Sequence, residues 1–410
     1  MIEKTLVSLD EAIKIVLNNT PALATERLSI SESLHRVLAE NIEAQRDHPP
    51  WNNSAMDGYA VQWQDIRNAT PNTPVRLNVV GEVQAGGMPD KILHSGEAIQ
   101  IMTGAPSPEG ADTVVRVEDT QRDGNTVTIN ATCQPGSNIR LKGEDINIGD
   151  NVLNAGSAIR PADIGIMATA AYSSVLVHQQ PSVSVLATGD ELAEPGEQLS
   201  PEKIINSNSY SVSALARESG AHSVTLPCAR DTREDLEDKI RQALQADVAL
   251  IIGGVSMGKY DHVKEVLEAL GCQFKFWRVA VRPGHPVAFG TIAQGNQTKL
   301  LFGLPGNPVS CVVAFYQFVR PALRKMMGHQ HLFLQQVEAV MEEDFNKKTG
   351  RTHLARATTT FRDGQYHVRL ATQQGSGVLT SFAQANSLAI LPAEQASFSA
   401  GQSVEVQLLP

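Results

Sequence analysis

Residues able to do chemistry cluster in the second half of the chain. Thr188-Gly189-Asp190-Glu191, Arg230-Asp231 and Gly253-Gly254-Val255-Ser256-Met257-Gly258, with Asp261 just beyond, each follow a short run of aliphatic residues. Glycines let a backbone approach a ligand closely, and the amides at a helix start attract phosphate. Glu191, Asp231 and Asp261 offer carboxylate oxygens of the kind Mg²⁺ accepts while bridging to phosphate. Acids favoured at helix N-termini by the dipole are the plainer reading of the same three residues. The glycine loop is neither G-x-G-x-x-G nor a Walker motif, so the dinucleotide and NTPase fingerprints fail. Pro305-Gly306-Asn307-Pro308-Val309-Ser310 makes a rigid wall at another helix start. Arg282-Pro283-Gly284-His285-Pro286 adds a planar guanidinium suited to an oxyanion, and a histidine.

The first half carries three further clusters. They are Asn53-Ser54-Ala55-Met56-Asp57-Gly58-Tyr59-Ala60, Ile101-Met102-Thr103-Gly104-Ala105-Pro106 and Ile139-Arg140-Leu141-Lys142-Gly143-Glu144-Asp145. Each alone reads as a turn, and periodicity assigns none of them a reaction.

The elements that must position these groups fall into blocks. Ser8–Glu11 and Ser29–Glu32 are capping boxes, each predicting a short amphipathic helix. From Ile42 to about Asp150 the pattern is β-rich, with strands expected at Val75–Val83, Glu97–Met102, Thr113–Glu118 and Thr126–Ile129. A helix is expected at Pro161–Ala171. From Ser182 strand and helix alternate, which predicts an α/β sandwich on a mainly parallel sheet. Its expected strands are Val183–Ala187, Ser223–Leu226, Val248–Ile252, Phe274–Val281 and one near Phe302. In such sheets ligands bind beyond the carboxyl ends of the strands, where the glycine and acid clusters fall. A long apolar helix follows Asn307-Pro308, and the last eighty or so residues read as a small β barrel or sandwich.

The chain has 410 residues, 34 basic and 44 acidic, for a formal charge of −10. That balance argues against a general nucleic-acid coat, which needs a broad cationic face, and leaves a local anion site open. Cys133, Cys228, Cys272 and Cys311 form no C-x-x-C pair, so a structural zinc site or redox dithiol is not signalled. No signal peptide or membrane span is evident, and a soluble cytoplasmic protein is expected.

Taken together and in order, Asn53–Ala60, Met102–Pro106, Gly143–Ile146, Thr188–Leu192, Gly253–Asp261 and Pro305–Ser310 resemble the MoeA-type molybdopterin molybdenumtransferases. That family includes the gephyrin E domain. The resemblance runs from about Leu6 to the C-terminus. It implies an elongated multi-domain subunit, α/β plus β, with a MogA-like three-layer α/β domain at 179–328. It also implies an inserted β-rich domain at 46–146, a dimerisation domain from 1–45 and 147–178, and a C-terminal β-barrel-like domain at 329–410. The implied reaction is Mg²⁺-dependent insertion of molybdate into adenylylated molybdopterin, releasing molybdenum cofactor and AMP. The implied partners are a second subunit and, transiently, the molybdopterin adenylyltransferase and acceptor molybdoenzymes. By the resemblance Asp57, Thr103 and Asp145 would line the cleft from the β domain, and Glu191, Asp231 and Asp261 would handle Mg²⁺ and phosphate. Gly253, Gly254, Ser256, Pro305, Gly306 and Pro308 would cradle the pterin nucleotide. Arg356 and Ser376 match positions associated with molybdate, and Arg282 and His285 stand where the family usually has lysines. Leu141 likewise replaces a common basic residue. A non-catalytic scaffold of the same fold, or a divergent paralogue, is the second reading; the adenylyltransferase step itself is a third.

Overall fold

The computed structural model describes residues 6–198, 200–254, 262–295 and 297–410. Ser256 and Asp261 therefore lie outside the described residues. No helix among the described residues is long and apolar enough to cross a membrane.

The chain opens on the helix Leu9–Asn18, capped by the Ser8 hydroxyl, which accepts the Glu11 N–H. Val7 is stitched to the α/β part through backbone bonds to Arg278 and Ala280. The second expected helix does not form. Thr25–Ser29 is a strand, antiparallel to Ser174–His178, and only one 3₁₀ turn, Ile30–Glu32, follows it. A partner almost 150 residues away outcompetes the local capping signal, because five ladder positions outweigh one short helical turn. The helix Pro161–Thr169 packs Met167 beside Leu38, Ile42, Val175 and Val177 in the same small core.

Residues between these two segments form a six-stranded sheet. Its spatial order is Thr113–Arg116, Gly58–Val61, Glu97–Ile101, Val75–Val83, Thr126–Ile129, Thr120–Asp123. Side chains alternate between two apolar layers, as a period of two demands: Tyr59, Val61, Ala98 and Val115 on one face, Ala60, Ile99, Ile101 and Val114 on the other. Gly58 sits so close to the next strand that a Cβ would overlap the Val115 carbonyl oxygen, which explains the glycine in that motif.

The α/β part has a six-stranded sheet in the order His222–Thr225, Ser182–Ala187, Val248–Ile252, Gln297–Leu304, Ala288–Gln294, Gln273–Phe276. The first four strands are parallel, and Ala288–Gln294 runs antiparallel to both its neighbours. The expected strand Phe274–Val281 is two pieces, Gln273–Phe276 and Val281–Arg282. The second piece leaves this sheet and pairs with the C-terminal barrel. From Ser182–Ala187 the chain steps to the strand on one side, then returns to Val248–Ile252 on the other. The carboxyl ends of those two central strands are thus a topological switch point, where a crevice opens.

The long helix after Asn307 runs as Pro308–Ala314, a π turn at Phe315–Val319 and Arg320–Met326. Phe315, Phe318, Val319, Leu323 and Met326 bury against the sheet in one core. Beyond it, Gln336–Met341, Thr352–Arg362, Gln365–Leu370, Ser387–Leu391 and Ser403–Leu408 close into a five-stranded barrel, each strand pairing with two others of the ring. Val281–Arg282 adds to its outside in parallel, Val281 against Thr352 and Arg282 against His353.

Candidate functional site

The crevice at the switch point is a cavity of about 470 Å³. Its floor is Thr188 and Gly253, one wall is Asn206, Ser207 and Asn208, and the opposite wall is Pro305, Gly306, Asn307 and Pro308. Glu191, with the exposed Ile204 and Ile205, forms its rim. Gly254 holds φ at +62°, and a Cβ there would strike Val263, so no other residue fits the turn without strain. The two walls are tied together, since the Asn208 amide donates to the Gly306 carbonyl at 2.6 Å.

The loop ends carrying the acids lie side by side. Thr188 bridges to Ala229 in parallel register, and Gly189 N–H donates to the Ala229 carbonyl at 3.1 Å. As a result Asp190 and Asp231 exchange bonds: Asp231 N–H reaches Asp190 Oδ1 at 3.3 Å, and Asp190 N–H reaches Asp231 Oδ2 at 3.4 Å. Lys203 donates its ammonium to the Asp190 carbonyl. Asp190, Glu191 and Asp231 are all exposed and offer oxygen donors only, which suits a hard cation. Among the described residues, no group of three or more acids, histidines or cysteines is assembled to hold a metal ion.

A second cavity, about 390 Å³, adjoins the first through Pro286 and Asn307. Here the α/β part meets the barrel. Arg282, His285 and Ser310 come from one side, and Arg351, Gln374 and Ser376 from the other. Two contacts fix the junction, the Arg282–His353 register and the Val309 N–H donated to the Ser376 carbonyl at 3.1 Å. His285 Nδ1 lies 2.7 Å from the Val279 carbonyl and must carry the proton of that bond, which leaves Nε2 for the cavity.

Arg356 does not line this cavity. It is fully buried, at 0% exposure, beneath it. Its Nε donates to Ser381 Oγ at 2.9 Å, and Nη2 donates to the carbonyls of Gln373 and Gly375 at 2.8 and 3.1 Å. Arg356 thus holds the loop that presents Ser376, and the arginine that the barrel side exposes to the cavity is Arg351. Periodicity could not separate these two arginines; a clue lay in alternation, because Arg356 falls mid-strand and Arg351 just before it. His353 sits buried beside Phe345, both ring nitrogens without partners. Burial, reinforced by Arg282 and Arg356, pushes it down to about 4, so it stays neutral.

Asp57, Thr103 and Asp145 gather elsewhere. Gly58 pairs with Ile101, so Asp57 and Thr103 face each other just past the strand ends. Asp57 Oδ1 accepts both the N–H and the hydroxyl of Thr103 at 2.7 Å, and these bonds hold its carboxyl below the ordinary range. The Gly143–Ile146 loop that carries Asp145 is pinned to the His48-Pro49 segment by Gly143 N–H to the Pro49 carbonyl and Asp145 N–H to the His48 carbonyl. All three side chains are exposed, and none of them lines the switch-point cavity of its own chain.

A mainly parallel sheet with a glycine-lined crevice rimmed by Glu191, joined to a β barrel that contributes Arg351 to a second cavity, defines a multi-domain α/β protein. Residues 7–171 match the family model described as "MoeA N-terminal region (domain I and II)". Residues 184–325 match "Probable molybdopterin binding domain", and 338–409 match "MoeA C-terminal region (domain IV)". The chain is 36% identical over 407 residues to a molybdopterin molybdenumtransferase of Staphylococcus epidermidis, covering 99% of this chain and 96% of that one. It is 35% identical to one of a Nostoc species, covering 98% and 94%. The crystal structure of a molybdopterin biosynthesis MoeA protein from Pyrococcus horikoshii superposes with a TM-score of 0.81 at 31% identity, over 98% of this chain and 99% of that one. The chain belongs to the MoeA family of molybdopterin molybdenumtransferases, enzymes of molybdenum cofactor biosynthesis.

Proposed function

We propose that this chain inserts molybdate into adenylylated molybdopterin, releasing molybdenum cofactor and AMP. The observation that carries this reading is the adjacency of two unlike cavities, which share Pro286 and Asn307. A phosphate-bearing ligand in the first would lie beside an oxyanion in the second. Holding two reactants at close range supplies much of the barrier reduction in such a transfer.

In this reading Gly253, Gly254 and Ser256 let the backbone approach the phosphates, and Pro305, Gly306 and Pro308 form the rigid wall. Arg282, Arg351 and Ser376 grip molybdate, and His285 adds an N–H when protonated. Arg356 acts from beneath by fixing the 373–375 loop. Glu191, Asp231 and Asp261 would hold Mg²⁺, whose positive charge eases cleavage of the phosphoanhydride. The oxygen-only donor set around Glu191 and Asp231 fits that ion.

Asp57, Thr103 and Asp145 enter from the inserted β module, residues 46–146, of a second subunit. Their exposure, and their absence from the cavity of their own chain, support a homodimer with composite sites. Acceptor molybdoenzymes and the adenylyltransferase would meet the dimer transiently.

The test is reconstitution: purified protein, adenylylated molybdopterin, molybdate and Mg²⁺, with AMP release measured alongside activation of an apo-molybdoenzyme. Both should depend on this protein and on molybdate. AMP release without cofactor formation would refute the insertion step.

A further inference from the structure

Behind the Asn206–Asn208 wall lies a network that the reaction does not use directly. Glu194, just past the short strand Leu192–Ala193, receives three hydrogen bonds, two from the start of one helix and one from the loop that carries Cys228. Oε1 accepts from Asn206 Nδ2 at 3.1 Å and from the Cys228 thiol at 3.4 Å, and Oε2 accepts the Tyr210 hydroxyl at 2.8 Å. Burial alone would raise this carboxyl. The bonds from Asn206, Tyr210 and Cys228 overcome that and hold it below its ordinary range. Burial and the facing carboxylate push the Cys228 thiol up to about 12, so it remains a donor.

Asn206 is the hub. It is 2% exposed, lines the crevice and is the N-cap of the twelve-residue helix Ser207–Glu218. Its Oδ1 accepts the Ser209 N–H at 3.3 Å, and its own N–H reaches the Ala193 carbonyl at 2.9 Å. A side-chain amide has two faces of opposite polarity, and only its partners decide which way it points. An anionic Glu194 can receive only the NH₂ face. Oδ1 must then turn to the helix, which fixes the first turn. The amides of Ser207 and Asn208 have no intrahelical carbonyl to reach, so they remain free for a ligand at that wall.

We propose that Glu194 is a positioning residue for the crevice, setting the orientation of Asn206 and through it the wall made by Ser207 and Asn208. The proposal rests on the crevice being the site of the pterin nucleotide, as argued above. Glu194 itself touches no ligand, so its loss acts on binding and spares the chemical step.

An exchange of charge tests this. Glu194→Gln lets the amide pair settle either way round, and Asn206→Asp sets two carboxylates against each other. The double variant Glu194→Gln/Asn206→Asp restores one acid and one amide, with Asp at 206 still able to cap Ser209. Each single variant should raise KM for adenylylated molybdopterin about fivefold to tenfold, the worth of one well-formed hydrogen bond. For Glu194→Gln, which does not line the crevice, kcat should stay within about twofold of wild type, the pattern of lost uniform binding. The double variant should recover most of the KM loss. Unchanged KM in both single variants overturns the proposal, as does a double variant in which the two losses simply multiply. If Glu194→Gln fails to fold, Tyr210→Phe removes one donor from an exposed position; it should raise KM about threefold, and an unchanged KM overturns the proposal. Failure of the wild type to release AMP would sink the reading of the crevice and this proposal with it. An active wild type with insensitive variants would sink this proposal alone.

Discussion

The two adjoining cavities are built in opposite ways. Every residue lining the switch-point crevice falls between Ala187 and Pro308, and its charged side chain is Glu191. The neighbouring cavity draws on loops some seventy residues apart, and its permanent charges are the cations Arg282 and Arg351. One site is assembled by a single sheet, whose parallel strands deliver all their loops to one edge. The other exists only because a two-residue strand leaves that sheet and joins a barrel. Sites made by one element class are robust and general; sites made at a junction are where a family can change its anion chemistry without disturbing the sheet.

The largest effect should come from the acidic loop ends beside the crevice. Asp231→Asn keeps an oxygen to accept the Asp190 N–H, so packing should survive. Loss of the charge should lower AMP release by at least ~10²-fold, the scale for removing a group that stabilises developing charge. Molecules of the variant should melt within a few degrees of wild type, as expected for an exposed substitution (roughly 0.5 kcal/mol or less). Near-wild-type turnover would remove Asp231 from the mechanism.

How far each cavity could be read from sequence follows from the same contrast. The placement of Glu191, Gly253 and Pro305 around one crevice was legible, as was that of Asp231 on a loop end beside it, because strand–loop–helix alternation is local and the carboxyl-edge rule does the rest. The adjacency of Asp57 and Thr103 was not, since it depends on the Gly58–Ile101 pairing across more than forty residues. Arg356 entered through the family resemblance and Arg351 was not singled out; that one lies under the 373–375 loop and the other lines the cavity depends on the strand's bounds and on contacts distant in sequence. The Ser29 helix failed for a related reason: a distant strand claimed the residues before it, and the Ser29 hydroxyl accepts the Ser31 N–H instead of closing a capping box with Glu32.

The junction cavity should show its own signature. Arg351→Gln should raise the molybdate concentration for half-maximal cofactor formation about tenfold or more, since a charge-assisted bond to an anion is lost. AMP binding measured separately should not change, because Arg351 does not line the crevice. Equal weakening of both ligands would mean that the two cavities act as one.

A smaller, pH-dependent effect is expected at His285. Its Nδ1 proton is committed to Val279, so a hydrogen bond from Nε2 to an oxyanion requires the ring to be protonated. A bound anion favours the protonated form, hence molybdate and a proton should bind together. The molybdate concentration for half-maximal cofactor formation should be a few-fold higher at about pH 8 than at about pH 6. His285→Lys should flatten that dependence, and identical pH profiles in the two proteins would exclude the protonated ring.

The smallest expected change belongs to the remote end of the β module. Both bonds that Thr103 donates end on one oxygen of Asp57, and the backbone N–H contributes more than the hydroxyl to lowering that carboxyl. Thr103→Val removes the hydroxyl and leaves the backbone bond, so the carboxyl should titrate higher than in wild type while remaining below its ordinary range. The sign for stability follows from the depression. A carboxylate held low in the folded protein contributes stability above its unfolded value, and that contribution fades as pH falls through the folded value. Thr103→Val should therefore lose a little stability at neutral pH and begin its acid transition at slightly higher pH. Carbon-detected NMR of the Asp57 carboxyl, titrated in both proteins, reads the shift directly. An unmoved midpoint would show that the backbone bond alone sets Asp57.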